Sequence, residues 1–120
     1  MTPQQLLDAA AVLLTTPSPT MRRCWQRACA SLTRVALEQA LDGYWKRVEP
    51  TAARCPMRHQ LLALSAVAGD EVTALARSAW YGLCRAVHHH TYELPPTVAE
   101  LHGWHREVTA LLALLDQPPR

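Results

Sequence analysis

A chain of 120 residues, 49% hydrophobic and 18% charged, is sized for one domain around one modest core and is too apolar to be disordered. A formal net charge of +2 does not by itself require a nucleic-acid partner. No apolar run approaches the roughly 18 residues that span a bilayer, and MTPQQLLDAAAVLLTTP has no basic stretch before its apolar residues. A secretory leader and a membrane partner are therefore not expected, and the cytoplasm is the expected location.

Thr2-Pro3 reads as an N-cap followed by proline at the first helical position, with Leu6, Leu7, Ala10, Leu13 and Leu14 as the apolar face of a short helix. Thr15-Thr16-Pro17-Ser18-Pro19 ends it. A long helix is expected after Thr20, where Trp25, Ala28, Cys29, Leu32, Val35 and Ala36 follow three-four spacing, continued by Leu41, Tyr44, Trp45 and Val48 up to Pro50. Roughly 28 helical residues would run about 42 Å. A third helix starts near Pro56, with Leu61, Leu62, Leu64 and Val67 apolar, and closes at Gly69. Asp70 is the expected N-cap of a fourth, whose core stripe is Val72, Leu75, Ala76, Ala79, Leu83, Ala86 and Val87. Thr97-x-x-Glu100 after Pro95-Pro96 is a capping box, followed by Leu101, Trp104, Val108, Leu111 and Leu115. No repeat, strand-like alternation or Gly-rich phosphate loop is present, so the expected fold is a single all-α, up-and-down bundle of four to five helices over residues 1–120, with no cofactor.

Charge is unevenly spread. Between Met21 and Arg58 eight basic residues face three acidic ones, a net +5, while the rest of the chain carries −3. Such a segment fits a phosphate backbone, with Arg22, Arg23 and Arg27 as candidate RNA-binding residues, and fits equally the solvated face of a helix. Cys24, Cys29, Cys55 and Cys84 contain no Cys-x-x-Cys pair. Cys29 and Cys84 sit in apolar helical patterns and are expected to be buried, reduced thiols.

The richest stretch is Arg85-Ala-Val-His-His-His90-Thr-Tyr92, which reads Arg-x4-His-x-Tyr near the end of the fourth helix. Arginine can hold a phosphate and histidine can move a proton near neutral pH, a pairing suited to phosphodiester chemistry. On an ideal helix His90 continues the core stripe and points about 140° away from Arg85. A joint site therefore needs the helix to loosen before His90, or a second subunit. His89 shares the face of Arg85 and is an alternative to His90. Ala74, Ser78 and Gly82 form a small-residue strip beside Arg85, which suits either a dimer seam or close packing inside the bundle. The histidines also fit a solvated helix end, where they offset the dipole. A metal site joining them to His102 and His105 lacks His-Glu-x-x-His and Glu-x-x-His spacing, and no metal is expected.

Over about Thr20 to Leu115 the chain resembles the HEPN superfamily, small helical bundles marked by Arg-x4-6-His near the end of one long helix. Arg85, His90 and Tyr92 match the Arg-x4-His-x-Tyr form of its toxin branch; Ala86 departs from the polar residue that often follows the arginine. The resemblance implies a metal-independent endoribonuclease acting as a homodimer in a toxin–antitoxin or phage-defence setting. Arg85 would stabilise charge on the scissile phosphate, His90 or His89 would transfer protons, and Tyr92 would be the residue that a partner antitoxin modifies. A non-catalytic helical dimerisation or protein-interaction module is the competing expectation.

Overall fold

Thr2 and Thr97 each open a helix by a reciprocal pair of bonds. Thr2 Oγ1 accepts from the Gln5 N–H at 3.1 Å while Gln5 Oε1 accepts from the Thr2 N–H at 2.8 Å. Thr97 and Glu100 repeat the arrangement at 3.1 and 3.0 Å. Donors left over by the first helical turn are satisfied in this way. The chain is seen in a computed structural model that describes residues 1–16, 24–88 and 94–116.

The elements are α1 (Pro3–Thr15), α2 (Trp25–Val48), a 3-10 turn (Pro50–Arg54), α3 (Met57–Ala68), α4 (Asp70–Val87) and α5 (Val98–Leu115). No strand occurs among the described residues, and the fold is an all-α bundle. The central element is α2, which packs against α1, α4 and α5, while α3 packs chiefly on α4. Its 24 residues span about 36 Å. The expected stretch from Thr20 to Arg23 lies outside the described residues. Gly43 does not interrupt the helix, and Pro50 ends it by starting the 3-10 turn.

The core joins Leu7 and Ala10 of α1, Leu37, Leu41 and Trp45 of α2, Leu61 and Leu64 of α3, Ala79 and Leu83 of α4, and Leu101, Val108 and Leu111 of α5. Each buried leucine contributes roughly 1.5–3 kcal/mol. Polar ties fix the helices against one another. His105 Nε2 lies 2.9 Å from the Leu7 carbonyl oxygen, linking α5 to α1. Arg47 donates from α2 to the Leu115 carbonyl at 3.1 Å, satisfying an acceptor in the last turn of α5.

Two expectations are corrected. Asp70 is not the N-cap: α3 and α4 are joined by Gly69 alone, at φ 89°, and Asp70 is already helical. An L side chain is strained there, so the connection needs glycine. Asp70 and Glu71 instead occupy the first turn, where carboxylates suit the positive end of the helix. Leu62 and Val67 are 66% and 50% exposed, not core, because α3 has one principal neighbour and needs only a narrow buried face. Val35 and Val48 of α2 are likewise exposed. No helix among the described residues is long and apolar enough to cross a membrane.

Candidate functional site

α4 ends at Val87. The His88 N–H still bonds to the Cys84 carbonyl at 2.9 Å, but His88 has φ −80° and ψ 83°, outside the helical region. The ideal-helix projection that carried His90 onto the core stripe therefore stops before the triplet. His88 is exposed. His89, His90 and Tyr92, like Arg22 and Arg23, lie outside the described residues.

Arg85 stands in the last turn of α4, exposed, and Arg27 in the first turns of α2, half-buried. They are 58 residues apart in sequence, yet both line one cavity of about 480 Å³ between the end of α4 and the start of α5. Its other walls include Gly82, Trp104, Thr97 and Glu100. Gly82 makes the cavity's floor possible. A Cβ at that position would overlap the Trp104 indole, lying 2.6 Å from Cε2, so the absence of a side chain lets the ring settle on α4.

That packing divides the small-residue strip. Its Gly82 end is buried under Trp104 of the same chain, whereas Ala74 and Ser78 are exposed. The Glu100 carboxylate on the cavity wall is held by the Thr97 N–H. Among the described residues the ion pairs are Arg34–Glu38 and Lys46–Asp42, so neither Arg27 nor Arg85 has a carboxylate partner there.

Three other described cations of the basic segment are engaged elsewhere. Arg34 bonds to Glu38 at 2.9 Å, and its guanidinium lies 4.8 Å from the centre of the Trp80 ring. Lys46 pairs with Asp42 at 2.8 Å, and Arg47 caps α5. Of that segment's described cations, only Arg27 faces the Arg85 cavity.

The thiols offer no nucleophile there. All four cysteines are free: Cys29 is buried as expected, Cys84 is only half-buried because it stands at the edge of the α4 core face, and Cys24 and Cys55 are exposed. Burial pushes the Cys29 thiol up to about 11, opposed by a hydrogen bond with Thr33. Burial also raises Cys84; Arg34 works against that shift and Glu38 with it. Higher values mean less thiolate at neutral pH. His105 is engaged with the Leu7 carbonyl and His102 is exposed, and no cluster of three metal-ligating side chains occurs among the described residues.

A larger cavity of about 620 Å³ lies farther along α2, lined by Ala40, Gly43, Tyr44, Arg47 and Leu112 among others. It has one guanidinium, already donating to a carbonyl. The smaller cavity carries the stronger chemistry. Two arginines line one partly enclosed space beside an indole, with the Glu100 carboxylate held on its wall by Thr97, and the guanidinium groups can grip an anion such as a phosphate. Trp104 and Glu100 went unrecognised as cavity residues in the sequence because periodicity assigned one to the core and the other to a cap. The signal that could have found them was a glycine one turn before Arg85. No family model, no curated protein and no solved structure matches this chain.

Proposed function

We propose that the protein is a metal-independent endoribonuclease of HEPN type, with the Arg27–Arg85 cavity as the seat of its scissile phosphate. The observation that carries this reading is the convergence of Arg27 and Arg85 at the end of α4, immediately before the histidine triplet. Neither arginine has a carboxylate partner among the described residues, so both are available to a bound phosphodiester. His90, or His89, then takes the proton of the ribose 2′-hydroxyl as it attacks phosphorus. A second histidine, supplied by the other subunit of a homodimer, protonates the departing 5′ oxygen. Arg85 stabilises the charge that builds on phosphorus-bound oxygen. The products carry a 2′,3′-cyclic phosphate and a 5′-hydroxyl. In this reading Tyr92 is the modification site for an antitoxin in a toxin–antitoxin or phage-defence pair.

A non-catalytic binding module is favoured by one feature, the apolar, half-buried Ala86 directly after Arg85. Incubation of wild type, Arg85→Ala and His90→Ala with total RNA in EDTA separates the two. The nuclease reading expects cutting by wild type, reduced about 10²-fold or more by Arg85→Ala and abolished by His90→Ala or, where His89 carries the proton, by His89→Ala in the same assay. Intact RNA with wild type, or equal cutting by all three, removes it.

A further inference from the structure

A second basic hollow lies on the opposite flank of α4. It measures about 370 Å³ and is lined by Arg58 and His59 from α3, Arg77 and Tyr81 from α4, and the apolar Leu61 and Leu62. Arg58 and His59 occupy the first turn of α3, where the helix dipole disfavours positive charge, and so gain nothing locally from being basic. α3 has no acidic residue, and those of α4, Asp70 and Glu71, do not line the hollow. Among the described residues neither Arg58 nor Arg77 has a carboxylate partner.

The two flanks are connected. Arg77, Tyr81 and Arg85 follow one another at four-residue intervals on α4, and all three are exposed. Four residues turn a helix by about 40° beyond a full circle, so the three side chains climb obliquely across its outer face. They start at the Arg58–His59 hollow and end at the Arg27–Arg85 cavity, a rise of about 12 Å. The middle position is aromatic, and Tyr81 is 49% exposed. Cations at both ends of a short path with an open aromatic ring between them suit an unpaired strand, whose phosphates meet the arginines while a base stacks on the ring. A duplex keeps its bases stacked on one another and cannot use the tyrosine in that way.

We infer that α4 carries a track for single-stranded RNA, running from the Arg27–Arg85 cavity over Tyr81 to the Arg58–His59–Arg77 hollow. The track takes its polymer from the ribonuclease reading above and adds a substrate class to it: unpaired segments rather than duplex.

The test uses a fluorescent 2′-O-methyl RNA strand of about ten nucleotides, within the usual range of single-strand sites. Its blocked 2′ oxygen prevents cutting by 2′-hydroxyl attack, so binding is read separately from catalysis. Wild type is expected to bind the strand at least about tenfold more tightly than its duplex. Tyr81→Ala should weaken binding roughly tenfold, while Tyr81→Phe, which keeps the ring, should not. Arg77→Ala should weaken it and lower the salt slope by about 0.7. Equal affinity for strand and duplex, no binding by wild type at low salt, or wild-type affinity in both Tyr81→Ala and Arg77→Ala would overturn the track. Tyr81-dependent binding to phosphatidylserine vesicles but not to the strand would also overturn it, in favour of a membrane surface. Variant-sensitive binding without RNA cutting by wild type retains the track and removes the nuclease. Cutting by wild type with unchanged binding in both variants does the reverse.

Discussion

The Trp104 indole of α5 rests on Gly82 of α4 so closely that a Cβ at Gly82 would overlap it. Gly43, in the middle of α2, is the opposite case: it is exposed, and a Cβ there meets nothing within 4 Å. Both are helical glycines, and alanine favours a helix by about 1 kcal/mol over glycine. Gly43→Ala should therefore raise stability by about 0.4–1 kcal/mol. Gly82→Ala adds an overpacking cost of about 1–3 kcal/mol and should be the less stable variant by that margin. Urea unfolding of the pair checks this, and equal stabilities would mean that the indole moves aside freely.

The Thr97–Glu100 box both starts α5 and fixes a carboxylate on the cavity wall. Thr97→Ala should cost about 1 kcal/mol, the usual worth of an N-cap. Thermal melts of Thr97→Ala and Thr97→Ser distinguish the cap from a general sensitivity of the site. Serine should restore most of the loss.

Cys29 sets a pH dependence with a definite sign. Burial holds its folded-state thiol near 11, whereas an unfolded thiol ionises near 9.0. Below pH 9 both states keep the proton, and the contribution to stability is fully present. As pH rises towards 11 the unfolded chain ionises first, so stability falls, by about 2 kcal/mol across that window. Lysine and tyrosine titrations are common to wild type and Cys29→Ala, so the difference between their urea curves isolates the thiol. The variant starts less stable and loses less on the way up. Parallel losses would contradict the burial of Cys29.

In the proposed function the charge of Arg27 serves binding against the local preference of the helix. A cation in the first turns of α2 opposes the helix dipole, so Arg27→Ala should leave stability unchanged or raise it by about 0.3–1 kcal/mol. In the proposed function the same change should weaken RNA binding at every sequence and lower the salt slope by about 0.7. Paired melting and salt-titration measurements check both directions at once. A variant that is destabilised and binds RNA normally would make Arg27 a structural residue.

The helices were legible because proline and glycine punctuate this chain and apolar residues recur at helical spacing. Thr97-x-x-Glu100 announced α5, and the structure shows the bonds that the motif implies. Thr2–Gln5 is the same device with glutamine, and α1 is legible from its threonine, its proline and its apolar face without it. Asp70 was misplaced by one residue because a one-residue connection requires the φ of 89° that Gly69 supplies, and sequence spacing does not show so short a turn. Leu62 and Val67 were misassigned because spacing marks an apolar face without showing how many neighbours cover it.

The site was less legible. Arg85 stood out locally, but nothing in the chain's order links it to Arg27; the packing of α2 against α4 does. Gly82 belonged to a periodic strip whose partner could have been another chain, and only the position of Trp104 shows an intramolecular contact. The direction of a side chain after Arg85 depends on where α4 stops, and the first non-helical residue is His88.

The most direct test of the central claim is end-mapping on a defined RNA. Wild type and Arg85→Ala would be incubated in EDTA with an RNA containing a mapped cleavage site, and with the same RNA carrying one 2′-deoxy nucleotide there. The account predicts EDTA-resistant cutting that leaves a 2′,3′-cyclic phosphate and a 5′-hydroxyl, is lost at the deoxy position, and falls about 10²-fold or more in Arg85→Ala. Cutting that EDTA abolishes, that persists at the deoxy position, or that Arg85→Ala leaves unchanged would contradict it.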